Sequence, residues 1–290
     1  MRRARPSSQR KVRLSRSRHG TFLVYLLLLI LALFMAFPIL FIVVNAFKPI
    51  NELFLFPPRL TVRHPTLDNF AALSQLAQSS WVPFGRYMFN SLFVAVAGTA
   101  FYILIASMAA YPLAKMTFPG SGAYVKTLVV IMLFQPAVLG IPQYIIISQM
   151  GLLNTYWAVI LPASSGTLGV FLMRQFMVSI PDAMLEAARI DGASPWTVYW
   201  RVIMPMVKPA WLTLLIFTFQ SLWNNTGVAY VYDESMKALP VMLSQIVSAG
   251  VARAGAGAAV GLLLLVPPLG IFAAAQGSVL DTMAHSGIKE

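Results

Sequence analysis

Asp, Glu, Lys and Arg are absent from residues 19–47, 88–114, 127–173, 209–232 and 254–280, and apolar side chains fill these stretches. A helix crossing the hydrocarbon layer needs about 20 apolar residues. Four of the stretches therefore hold one spanning helix each. The 127–173 stretch is long enough for two, divided near Ser148–Thr155, where polar side chains and Gly151 interrupt it. The expected spans run over about 22–46, 88–112, 125–147, 156–176, 209–231 and 256–280. Helices of this length bond every backbone amide internally, as lipid requires. The first run has too long an apolar core for a cleaved signal peptide and no small-residue cleavage site after it, so it reads as a retained helix. Pro38 within it is tolerable as a kink.

Composition strengthens this picture. Hydrophobic residues make up 58% of the 290 and charged residues 10%, against about 45–50% and 25% in soluble proteins. The pattern is that of an all-α integral membrane protein. With no cysteine in the chain, disulfides, zinc–thiolate sites and cysteine nucleophiles are all excluded.

Charge supplies the orientation. The formal net charge is +12, but residues 1–18 hold eight Arg and Lys and no acid, so the remainder carries only +4. A basic tail beside a long apolar run reads as a cytoplasmic flank that anionic lipid attracts, and less well as a nucleic-acid arm. Six spans place both termini inside. Fifteen basic residues then face the cytoplasm and six face outward, and the tail carries most of that difference. The chain divides into a basic tail, 1–20, and a six-helix domain, 21–290. Residues 48–87, rich in proline and polar side chains, form a long outer segment.

Candidate chemistry is sparse within the spans. His19, His64 and His285 all lie outside them, as do Asp182, Glu186 and Asp191, and Asp281 stands at the exit of the last. An intramembrane hydrolase, a histidine metal site and a proton-relay carrier are each hard to build from that set. On the fifth expected span, Gln220, Trp223, Asn224 and Gly227 stand at i, i+3, i+4 and i+7, one helical face. Buried amides are costly in lipid unless bonded, so this face should look into a watery path. An aromatic plane with amides beside it suits a sugar, packing on the apolar ring face and bonding hydroxyls. The rival reading makes these amides glue between helices. Asn225, about 100° away, would bond a neighbouring helix, and Gln135, before Pro136, is a further lining candidate. No Lys or Arg lies within a span, which favours a neutral solute, and a uronate-containing oligosaccharide stays open if a partner chain carries the basic residues.

The loop between the fourth and fifth spans, 179–205, carries two helix signatures. Ser179 and Asp182 form a capping-box pattern, and Gly192 sits where a left-handed residue ends a helix. Ser194-Pro195 then opens a second helix, which should end before Pro205. The Ala187-Ala188 pair thins one side, rimmed by Glu186, Arg189 and Asp191. Glu186-Ala187-Ala188, three residues, Gly192, nine residues, then Val202-Ile203-Met204-Pro205 resembles the EAA loop of bacterial ABC importer permeases, pattern EAA-x3-G-x9-I-x-LP. Val202 and Met204 depart from it mildly. With Asp191-Gly192-Ala193-Ser194, Trp223-Asn224 and the ending Ser286–Glu290, the chain resembles maltose-type carbohydrate permeases, the shorter partner of a heterodimeric pair.

That resemblance implies the type I importer permease fold and a coupling loop that docks on an ABC ATPase through Glu186, Ala187, Ala188, Arg189, Asp191, Gly192 and Trp196. It implies a homologous sister permease, two ATPase subunits that bind ATP and magnesium, and an extracytoplasmic solute-binding protein meeting residues 230–253. It also implies a C-terminal tail, with Gly287 and Lys289, reaching the ATPases. This chain has no GxxxxGK[ST] phosphate loop, so it is expected to bind no cofactor and to be a transport subunit of the bacterial inner membrane, not an enzyme. A permease for peptides or phosphonate is the runner-up.

Overall fold

The computed structural model describes residues 18–79, 82–133 and 136–286; among them there are helices, turns and no strands. Three helices are long and apolar enough to cross a membrane: His19–Ala46, Phe84–Lys115 and Val251–Gly277. Two further apolar helix pairs are broken by bends of more than 40°, which gives up to five crossings if each pair is one span. The all-helical expectation holds, but of the six expected spans three are continuous and two are bent pairs, and the third, 125–147, is two short helices.

The first helix, α1 (Arg18–Ala46), runs through Pro38 without a break. A one-turn helix at Ile50–Leu53 follows, and then α2 (Asp68–Ser79). The outer segment is clasped onto the end of α1. Asn69 Nδ2 donates to the carbonyls of Ala46 and Lys48 at 2.9 and 2.7 Å. The buried Lys48 ammonium donates to Asn45 Oδ1 and to the Arg59 carbonyl. Glu52 accepts from the backbone amides of Arg63 and His64. Such bonds meet the rule that buried polar groups find partners.

The fold is organised around α3 (Phe84–Lys115), 32 residues long and so about 48 Å end to end. Its only internal proline, Pro112, lies in the last turn. The third expected span is divided into α4 (Ser121–Ile131) and α5 (Pro136–Gln149). Eleven residues reach only about 17 Å and fourteen about 21 Å, so neither crosses alone. Pro136 opens α5, where its missing N–H costs nothing.

The fourth span is α6 (Trp157–Ser164) and α7 (Thr167–Val178), bent by 45°. The break is bridged by one side chain. Tyr102 of α3 donates to the Gly166 carbonyl at 3.0 Å and accepts from the Gly169 amide at 2.7 Å. A Cβ at Gly166 or Gly169 would stand 2.8 or 2.5 Å from that hydroxyl. The two glycines thus let Tyr102 into a gap whose freed backbone groups it satisfies. The fifth span consists of α9 (Pro195–Met206) and α10 (Lys208–Trp223), bent by 74°. It ends at Trp223, eight residues short of the expected 231, because Asn225 accepts from the Gly227 amide at 2.8 Å and Gly227 turns the chain with φ +63°. The outer α11 (Leu239–Ser248) and the last helix, α12 (Ala254–Ser286), complete the order. The basic tail 1–17, and with it most of the 1–20 segment, lies outside the described residues.

Two apolar cores hang on α3. The outer one joins Tyr87, Val94 and Ala95 to Trp223, Leu239 and Val260. The inner one joins Tyr102, Ala106 and Ala110 to Met173, Met177, Ile203 and Leu214.

Filling the Tyr102 gap should be costly. Gly169→Ala is expected to lower the stability of the detergent-purified protein by about 1–3 kcal/mol, as overpacking does. Gly140→Ala, where a Cβ meets nothing within 4 Å, should leave it unchanged. Thermal unfolding of the two variants side by side checks this.

Candidate functional site

The first candidate site is the loop between α7 and α9. Ser179 does not begin its first helix: the Ser179 hydroxyl donates to the Phe176 carbonyl at 2.7 Å and closes α7 instead. The helix starts three residues on, after Pro181 in extended conformation, as α8 (Asp182–Ile190). The expected capping box is therefore not formed. The end of α8 follows the expected pattern. Gly192 takes φ +81°, its amide donates to Arg189, and the Ala193 amide donates to Ala188, both at 3.0 Å. These paired bonds are the Schellman motif. Ser194 caps α9, accepting from the Thr197 amide at 3.2 Å, with Pro195 in its first turn. That helix does not stop before Pro205. It widens to π-helical over Val198–Ile203 and continues to Met206, and the widened turn accommodates a proline that can neither donate nor clear the carbonyl behind it.

The protrusion has a buried side and a free side. Leu185, Val198, Tyr199 and Ile203 enter the inner core, with Ala188 and Ala193 against it. Glu186, Ala187, Arg189, Asp191 and Gly192 are exposed, as is Trp196. Beside them Met184 is exposed and Ile190 is 86% exposed. Nothing lies within 4 Å of a Cβ built on Gly192. The loop is fixed to α3 by groups the sequence pattern did not single out. Lys115 Nζ donates to Asp182 Oδ1 at 2.7 Å and to the Ile180 carbonyl at 2.5 Å, with its side chain 4% exposed. Ser107 and Tyr199 share a buried hydrogen bond of 2.6 Å, and Arg174 Nε donates to the Leu113 carbonyl.

The proposed path residues separate. Trp223 is fully buried, and its indole N–H donates to the Leu264 carbonyl at 2.8 Å, so it belongs to the outer core. Gln220 and Asn224 are exposed and line a cavity of about 360 Å³ between α1, α10 and α12, walled otherwise by apolar groups such as Ile42, Phe219 and Leu264. Asn224 Nδ2 donates to the Gln220 carbonyl at 2.9 Å. Asn225 binds the Gly227 turn and not a neighbouring helix, and Gly227 lies past the end of α10. Gln135, Gly287 and Lys289 lie outside the described residues.

An outer cluster went unnoticed in the sequence. Glu234 accepts from Tyr87 at 2.7 Å, from Lys237 at 2.6 Å and from Gln245 at 2.9 Å. Asn90 Nδ2 donates to the carbonyls of Ser235 and Lys237, both at 2.9 Å, while its Oδ1 accepts from Tyr156. Asn90, buried in a spanning helix, was the available signal. Partial burial works to raise the Glu234 carboxyl, but bonds from Lys237, Gln245 and Tyr87 outweigh it and hold it below its ordinary 4.5.

The fold is that of a helical protein with helices apolar and long enough to cross a membrane, and it carries an exposed helix–turn–helix protrusion at α8–Gly192–α9. A family model described as "binding-protein-dependent transport system inner membrane component" matches residues 121–282, and the chain belongs to that family. Protein LplC of Bacillus subtilis is 32% identical over 216 residues, 72% of this chain and 69% of that one. The arabinooligosaccharides transport system permease protein AraQ of Halalkalibacterium halodurans is 28% identical over 226 residues, covering 75% and 78%. A crystallised bacterial ABC transporter involved in alginate import contains a chain with the same fold, at TM-score 0.77 and 21% identity over 90% of this chain and 98% of that one. The protein is thus a transport component of the inner membrane.

Because the Glu234 carboxyl titrates lower in place than in an unfolded chain, its contribution is whole above about pH 4.5 and fades only as pH falls through the lowered value. The stability margin of the native protein over Glu234→Gln should be constant near neutral pH and shrink below about pH 4.5. Thermal unfolding across pH, on both proteins, reads this directly.

Proposed function

We propose that this chain is one permease of an ATP-driven sugar or oligosaccharide importer. It would form half of the path beside a homologous sister permease, with both termini in the cytoplasm and the basic tail on anionic lipid. Two separate ATPase subunits would carry ATP and magnesium. The observation that carries the coupling role is the exposed α8–Gly192–α9 protrusion. Ile190, Met184 and Ala187 offer an apolar contact, and Glu186, Arg189 and Asp191 ring it with charge. A partner groove that takes this knob can push on the inner core through Leu185 and Tyr199. Trp196 would flank that contact, and the tail with Gly287 and Lys289 would reach the same ATPases. On the outer side, residues 230–253 would meet the solute-binding protein.

The sugar class is supported by the name of the arabinooligosaccharide relative and by the Gln220–Asn224 amide pair at the cavity. Amides offer hydroxyls both donor and acceptor, and no cation lies along that face to hold an anion. Trp223 supports the wall from behind and does not touch solute.

The substrate is identified by mass spectrometry of sugars retained by the cognate binding protein; a peptide or phosphonate there would overturn the sugar reading. Two substitutions probe this chain. A β-branched side chain at the left-handed Gly192 costs about 1–2 kcal/mol, about tenfold in an equilibrium. Gly192→Val should therefore reduce ATPase co-purification or coupled uptake by about that factor. Gly192→Asn, which tolerates this conformation, should restore most of it. Asn224→Leu should cut sugar uptake about tenfold, the loss of one or two hydrogen bonds, in a complex that still assembles and hydrolyses ATP. Unchanged uptake would remove this cavity from the path.

A further inference from the structure

A signal passing from an outer loop to the coupling loop needs an element that is continuous across the bilayer and fastened at both ends. Among the described residues, three of the spans fail the first condition. The third is divided between α4 and α5, the α6–α7 pair is bent by 45° and the α9–α10 pair by 74°. Helix α12 is continuous, but it carries Pro267 and Pro268 together near its middle, where helices bend most readily. Helix α1 is continuous but its apolar window is unburied, and it packs on α12.

Helix α3 meets both conditions. At its outer end, Arg86, Tyr87, Asn90 and Ser91 lie on one side of the helix, and all four bond the 234–239 segment. Arg86 Nε and Asn90 Nδ2 donate to the Ser235 carbonyl at 3.1 and 2.9 Å. Asn90 Nδ2 also reaches the Lys237 carbonyl, and the Tyr87 hydroxyl reaches Glu234. The Leu239 amide donates to Ser91 Oγ at 2.7 Å. At its inner end, Lys115 holds Asp182 and the Ile180 carbonyl, and Ser107 holds Tyr199. These inner partners are the first residue of α8, the turn before it and the middle of α9. The outer segment cannot shift along the membrane normal without breaking four side-chain anchors or carrying α3 with it. A moving α3 in turn draws both helices of the coupling protrusion.

We propose that α3 is the strut through which loading of the outer 234–239 segment reaches the coupling loop, with Asn90 and Lys115 as positioning residues at its two ends. Neither touches solute or nucleotide; each acts by fixing another segment. This rests on the importer reading above.

The test uses the full complex in proteoliposomes, with its ATPases and its binding protein preincubated with arabinotriose and maltotriose. The quantity read is the ratio of ATP hydrolysis with and without binding protein, in complexes whose assembly is checked by size exclusion. For the unmodified complex the ratio should be about 5 or more, the usual size of such coupling. Asn90→Leu and Lys115→Met should each cut it to below about a third of that value, and the double variant should lose no more than the worse single one, since one strut cut twice is still one strut. Lys115→Arg, which keeps the charge and donors, should retain most of the ratio. Should a large substitution prevent assembly, Ser91→Ala with Ser107→Ala applies the same comparison by removing one hydroxyl at each end. A ratio preserved in the assembled variants, or losses that multiply as independent sites do, overturns the strut. No stimulation in the unmodified complex overturns the importer reading beneath it, and the strut with it.

Discussion

Lipid offers backbone groups no partner, so every break in a spanning helix must be repaired by protein. In this chain the α6–α7 break is repaired from α3, and the α9–α10 bend by its own Trp211, whose indole N–H donates to the Met204 carbonyl at 3.2 Å. The clearest repair is Tyr102, whose single hydroxyl both donates to Gly166 and accepts from Gly169 across the α6–α7 bend. Without a straight helix beside it, that bend would leave orphaned groups in hydrocarbon. Further in, Lys115 completes the start of α8 and Ser107 secures α9. Further out, Asn90 supplies donors to two carbonyls of an irregular segment. A continuous helix beside α6 and α7 thus permits that span to be broken, and the pair can repack at its bend while α3 keeps its length.

The number and place of spans were legible because charge is so expensive in hydrocarbon that the charge-free stretches mark them. The breaks were not, and the prolines show why. Pro38, Pro112 and the Pro267–Pro268 pair all lie inside continuous helices. The largest bend falls at Val207, two residues past Pro205. A proline makes a break affordable without choosing its place; the choice depends on which neighbour can take up the freed groups, and that neighbour is distant in sequence. Tyr102 is 64 residues from Gly166.

Local chemistry explains why the 179–205 loop was legible only in part. Gly192 and Ser194 act within their own turn, so their roles follow from spacing alone. Ser179 failed for a local reason too: Phe176, three residues back, offered its carbonyl first, and Pro181 fixed the chain in extended conformation before the helix could begin. The fifth span failed differently. Trp223 and Asn224 are adjacent, hence about 100° apart around the axis, and the edge of the core falls within that angle. A periodicity argument treats i, i+3 and i+4 as one face, whereas Gln220 and Asn224 look into a cavity and Trp223 into the core. Only the neighbour, α12 with its Leu264 carbonyl, decides which side of the edge each residue takes.

The same edge bears on how much of a path one chain can build. The 360 Å³ cavity is walled by α1, α10 and α12, and its polar groups come from α10 alone. A sugar has hydroxyls all round, and two amides on one helix cannot satisfy them. On the importer reading, the remaining donors and acceptors must come from another surface facing this one. The exposed apolar flanks of α1 and α5 can pack against lipid or a partner at equal ease, since burial against protein brings no hydrophobic gain over lipid tails. Partner choice then falls to the polar groups at the rim and to the shape of the bends, of which α3 holds the α6–α7 one in place.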